Sequence, residues 1–148
     1  MNLTLRKATL KDKQKVENLF VAMLQSIYKK EDVQAYEPGY LNKFFEDNGS
    51  WIYVAESDKE LVGYLSIEQY PDYLYLDDFC IDEKYRNLGI GTELLKNAQA
   101  YAIDKNVPQI RLHVEQSNLG AIKLYQRLGY KIENKENSRY LMIKPICI

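Results

Sequence analysis

The stretch YRNLGIGTELL, residues 85–95, packs an arginine and two glycines against the start of a helical pattern. Glycines at such a turn mean that a backbone comes close to something, and three ligands compete. A dinucleotide fingerprint G-x-G-x-x-G needs a third small residue for close helix–strand packing. Leu94 stands there, and DEKYRNL separates Ile81 from Gly89, although Glu115 stands where a ribose-binding acid would. A P-loop fits less well again, because no Gly-Lys-Ser/Thr follows. A tight strand-to-helix turn without a ligand is the structural alternative. The third reading is a phosphate cradle. The first N–H groups of a helix lack intrahelical partners and the macrodipole favours an anion there. Gly89 and Gly91 would let diphosphate oxygens approach without a Cβ in the way, and Arg86 adds positive charge.

The rest of the chain bounds this reading. It has 148 residues, one ordinary domain's worth, enough to bury roughly 70% of its unfolded surface. Hydrophobic residues make up 46% and charged residues 28%, a globular composition, and the net charge is −1, which argues against nucleic acid as a partner. MNLTLRKATLKDKQK is charged too early for a signal peptide, and LFVAML is far too short to span a membrane, so a cytoplasmic protein is expected. Cys80 and Cys147 have no metal-ligand spacing and are expected to be free thiols, with no metal. Most of the thirteen tyrosines fall in strand-like runs, where aromatic rings pack half-buried.

Along the chain, LTLRKA alternates like a strand, and LKDKQKVENLFVAMLQSIYK has apolar residues at helical spacing, from Val16 to Ile27. EPGYLNKFFED reads as a second, shorter helix after a proline turn. SWIYVAES, LVGYLSIEQY and YLYLDDFCID are strands with short links, hence an antiparallel meander. GTELLKNAQAYAIDK is a helix, QIRLHVE a strand, SNLGAIKLYQRLG a helix, and YKIENKENSRYLMIKPI two strands around a polar turn. The order βααβββαβαββ predicts one α/β domain over 1–148, a mixed, largely antiparallel sheet with helices on both faces.

Arg86-x-x-Gly89-x-Gly91 after a strand resembles the coenzyme-binding signature of the GCN5-related N-acetyltransferases (GNAT). SNLGAIKLYQRLGY, with Asn118, Ala121, Tyr125 and Gly129, is similar to that family's second motif, and with the strand order the resemblance covers about residues 3–146. Many members have glycine after the arginine, where Asn87 stands here; asparagine visits φ > 0 at little cost, so the loop keeps its shape. The resemblance implies acetyl-CoA as donor and a primary amine as acceptor. The diphosphate would lie on the N–H groups of Leu88, Gly89, Ile90, Gly91 and Thr92, beside Arg86 and Asn87. The pantetheine arm would run along Phe79, Cys80 and Ile81, pairing through Phe79 and Ile81. That requires this strand to splay from QIRLHVE.

The resemblance also implies that the Tyr125 hydroxyl faces the thioester sulfur as general acid and that Asn118 holds the pantetheine arm; the two stand seven residues, two helical turns, apart. Tyr125 as a core aromatic is the alternative. For the base, Asp77 and Asp78 stand mid-strand, and alternation sends them to opposite faces, Asp77 with Phe79 and Ile81. One is expected in the active site and the other in a salt bridge. LDDF is similar to strands of the family's diamine acetyltransferases, where the acid faces the amine. His113, the only histidine, is the rival base. A water relay is the third option. Acceptor choice is expected to lie in KKEDVQAYEPGY, QYPDY and NKENS, whose acidic and aromatic residues suit a small cationic amine, polyamine-like or aminoglycoside-like, with an amino acid and a peptide or protein N-terminus as alternatives. Homodimers are frequent in the family. A non-catalytic coenzyme sensor is the opposing class.

Overall fold

Strand alternation and two amphipathic helices place apolar side chains on both sides of a single sheet. The computed structural model describes residues 2–27, 39–46 and 49–146, without the side chains of residues 26 and 27. The strands are β1 (Leu3–Lys7), β2 (Ser50–Ser57), β3 (Glu60–Gln69), β4 (Leu74–Ile81), β5 (Gln109–Glu115), β6 (Lys131–Glu136) and β7 (Arg139–Pro145). The helices are α1 (Lys13–Ile27), α2 (Ile90–Asp104) and α3 (Leu119–Arg127). The sheet order is β1-β2-β3-β4-β5-β7-β6, antiparallel except for β4 and β5. Val16 and Phe20 of α1 share a core with Ile52, Val54 and Tyr64, while Leu94 and Ala98 of α2 pack with Ala55, Leu65 and Ile67. Neighbouring strand residues such as Val54 and Ala55 thus serve opposite cores, as a period of two requires.

The mixed, largely antiparallel α/β sheet with helices on both faces is as expected. The second helix is not. Asn42–Phe45 is only a 3-10 turn, anchored by buried Leu41 and Phe44 at a spacing of three. Residues 37, 38 and 47 of EPGYLNKFFED, residues 29–38 of the acceptor segment, the Ile27 side chain and Cys147 lie outside the described residues.

Two departures from regular pairing position the site. The β4–β5 ladder runs only from Leu74↔Ile110 to Leu76↔Leu112, whereas β5 continues against β7 to Glu115↔Arg139. The two parallel strands therefore splay after Leu76. In the β3–β4 ladder, Leu65 pairs Phe79 and Ile67 pairs Leu76, so Ser66 alone opposes Asp77 and Asp78. This is a β-bulge, with the Asp78 N–H donating to Ser66 Oγ at 2.8 Å.

Candidate active site

The bulge changes the faces that alternation predicts. Leu76 before it and Phe79 and Ile81 after it all lie against the α2-side core, while Cys80 belongs to the α1-side core. Asp77 therefore does not share a face with Phe79 and Ile81. Its Oδ2 accepts a hydrogen bond from the Tyr40 hydroxyl at 3.1 Å, and the Tyr40 ring stacks on Phe20 of α1 at 5.3 Å. Burial raises the Tyr40 and Tyr64 phenols, and both carboxyls add to it, in keeping with a bulge that turns Asp77 and Asp78 to one side rather than two. The expected salt bridge is absent too: among the described residues neither acid has an ion-pair partner. The extra residue of the bulge is the physical reason for the changed face.

Burial pushes the Asp78 carboxyl up to about 7, with Asp77 adding repulsion, and its buried Oδ2 has no hydrogen-bond partner. Asp77 is also raised by burial, with the Tyr40 hydrogen bond pulling it back. A carboxyl held near neutrality can accept or return a proton there.

His113, the first β5 residue past the end of the β4 pairing, is held at both nitrogens. Its Nδ1 lies 2.5 Å from the Tyr75 hydroxyl and its Nε2 3.1 Å from Glu136 Oε1. Tyr75 and Glu136 are functional candidates that sequence reasoning missed. Tyr75 has the parity of Asp77 along β4, a signal present in the sequence; Glu136 was within reach only as part of NKENS.

Most of the residues expected to hold the coenzyme converge. Phe79, Ile81, Arg86, Asn87, Gly89, Ile90, Gly91 and Thr92 line one cavity of about 520 Å³ together with Gly120, Leu124 and Arg127. Asp82 N–H donates to Val62 O at 2.8 Å, which sets the ladder phase: Cys80 turns its backbone groups toward β3, and Phe79 and Ile81 aim theirs at the splayed side. Arg86 Nε already donates to the Ile81 carbonyl at 3.3 Å. Cys80 is thus not on the open edge; its thiol contacts Leu19 O and is pushed up to about 11 by burial. It borders an adjoining cavity of about 600 Å³ with Asn118 and Arg86.

Gly89 caps α2 in the left-handed region at φ 83°, and a Cβ there would meet nothing within 4 Å. That is open space in front of free helix N–H groups, which fits a diphosphate. Asn87 does adopt positive φ, at 63°. Gly91 has a different reason: a Cβ would stand 2.6 Å from Phe79 Cζ. Leu88 is 55% exposed beside the cradle.

Tyr125 is buried, its ring 6.4 Å from that of Phe79, and burial pushes its hydroxyl up to about 12. It stands behind the cavity lining rather than in it. Asn118 caps α3, its Oδ1 accepting from Ala121 N–H at 3.2 Å, which leaves its amide N–H₂ for a ligand.

A splayed parallel strand pair leading to a glycine-capped helix N-terminus is an arrangement shaped for an extended, anion-tailed ligand. The chain belongs to the acetyltransferase (GNAT) family, whose model matches residues 14–130. It is 32% identical over 98 residues to the spermine/spermidine N(1)-acetyltransferase of Bacillus subtilis, covering 59% of this chain and 64% of that protein. It is 36% identical over 92 residues to an N-alpha-acetyltransferase of Sulfurisphaera tokodaii, covering 53% and 55%. The chain thus matches less than two thirds of the length of these curated relatives. The fold is that of the PaiA N-acetyltransferase from Thermoplasma acidophilum in complex with coenzyme A, at TM-score 0.85 and 20% identity over 98% of this chain and 99% of that one.

Proposed function

We propose that the chain moves the acetyl group of acetyl-CoA to a primary amine of a small cationic molecule, by direct attack of the amine on the thioester. The observation that carries this is the splay after Leu76, which turns Phe79 and Ile81 backbone groups away from β3 beside the Gly89 cradle, with Arg86 on the Ile81 carbonyl. The Phe79 and Ile81 groups would take the pantetheine amides, and Leu88 through Thr92 the diphosphate. Tyr125, protonated through neutral pH, would give its proton to the departing thiolate. Asp77 is the proposed carboxylate facing the amine; His113 is the rival. Tyr40 and Asp77 would offer an aromatic ring and a carboxylate to a cation, beside the Lys43–Glu68 ion pair.

The Bacillus relative is named for polyamines and the Sulfurisphaera relative for protein N-termini, so the two acceptor classes compete. Acetyl-CoA should raise the melting temperature by mass action and NAD should not. Thiol release should then be followed with spermidine and with an unacetylated peptide as acceptors. Greater kcat/KM with the polyamine is the expected outcome; turnover of the peptide alone replaces the acceptor assignment, and no shift with millimolar acetyl-CoA removes the function.

A further inference from the structure

Lys43 fills a place made for an ammonium. Its Nζ lies 3.2 Å from Glu68 Oε2, 5.0 Å from the centre of the Phe44 ring and 5.9 Å from that of Tyr40. A carboxylate and two ring faces are partners that any primary ammonium takes on. The same Tyr40 donates its hydroxyl to Asp77, so one side chain joins this place to the carboxyl proposed for the reacting amine. Strand geometry sets the spacing. Tyr64 lies in the α1-side core and Leu65 and Ile67 in the other, so alternation puts Glu68 on the α1 side, with Tyr40. Glu68 pairs with Tyr75, and Asp77 stands diagonally from it, at a separation of about 7–8 Å for such positions. A short diamine can set one nitrogen at each carboxylate. Beyond burial, Asp78, Asp77 and Glu68 all raise the Tyr40 phenol, so three carboxyls gather around the one ammonium that Lys43 brings. Asp78 Oδ2 and the hydroxyl of fully buried Tyr64 have no hydrogen-bond partner on this side.

We infer that Glu68, with the Tyr40 and Phe44 rings, is the subsite for a second ammonium of the acceptor, and that Lys43 is its placeholder in the free protein; the inference rests on the acetyltransferase reading above. An acceptor with two ammonium groups sets one at Asp77 and the other against Glu68, and the Lys43 ammonium swings out to water. Its side chain is 43% exposed, and its flexible stem rises from a single 3-10 turn, so the exchange needs no change in the sheet. One cation replaces another, so the Glu68 carboxylate, 19% exposed, is paired before and after. An acceptor with a single ammonium leaves Lys43 where it is. Lys43 thus holds the subsite ready and weakens diamine binding by competing for it.

The test starts with binding to the intact protein. In protein with ¹³Cε-labelled lysine, the Lys43 signal is assigned by its loss in Lys43→Gln. It should move to the position of exposed lysines when diaminobutane is added and stay in place with butylamine. Steady-state rates then compare the two amines. Lys43→Gln should raise kcat/KM for diaminobutane relative to butylamine about 10-fold, and Glu68→Gln should lower that ratio about 10-fold. The double variant should behave as Glu68→Gln alone, because the placeholder then has no carboxylate to occupy. A Lys43 signal unmoved by millimolar diaminobutane, or a ratio that Lys43→Gln lowers or leaves unchanged, overturns the subsite. A wild type inactive with every amine would instead fail the acetyltransferase reading, while the Lys43 signal still reports whether a diamine enters.

Discussion

The Asp78→Asn variant probes the bulge directly. A carboxyl whose folded pKa is raised prefers its neutral form in the native state. Between the unfolded value of 3.8 and the folded value of about 7, the native state therefore holds more protons than the unfolded chain, and stability falls as pH rises through that window. The shift is about 3 pKa units, and each unit is worth about 1.4 kcal/mol, so wild-type stability should drop by on the order of 4 kcal/mol between pH 4 and pH 8 from this group. Asparagine stays neutral and removes that slope. The variant should match the wild type near pH 4 and exceed it by a few kcal/mol at pH 8. Asp77, raised by burial as well, adds slope in the same direction to both proteins. The Arg6–Asp12 pair, whose carboxyl is held down to about 2, acts only below pH 4. Urea unfolding at pH 4.5, 6 and 8, followed by the fluorescence of the single tryptophan, Trp51, measures it. Parallel stability curves for the two proteins would refute the buried, unpartnered carboxyl.

Tyr125→Phe should leave stability and coenzyme affinity nearly unchanged and lower kcat about 10- to 1000-fold; full activity would return Tyr125 to core packing behind Phe79. Gly89→Ala should cost about 1 kcal/mol from the left-handed backbone and weaken coenzyme A binding, read by calorimetry. Gly91→Ala should displace the Phe79 ring and weaken the same binding without a backbone penalty, which ring chemical shifts report. Asn118→Ala should lower stability by about 1 kcal/mol through loss of the α3 cap, measured by thermal unfolding.

Most of the element order and the glycine-capped turn before α2 were legible in the sequence, because they depend on local chemistry: period-two alternation, helix spacing, and the positive φ that Gly89 and Asn87 tolerate. The faces of Asp77 and Asp78 were not legible. A bulge is a property of two strands at once, and its register is set by Leu65, Ser66 and Ile67 on the neighbouring strand, which no reading of β4 alone can supply. The same holds for His113, whose partners Tyr75 and Glu136 are 38 and 23 residues away in the chain and meet it only because β5 lies between β4 and β7, with β6 beyond. Local sequence determines which groups are available; long-range strand register decides which of them meet.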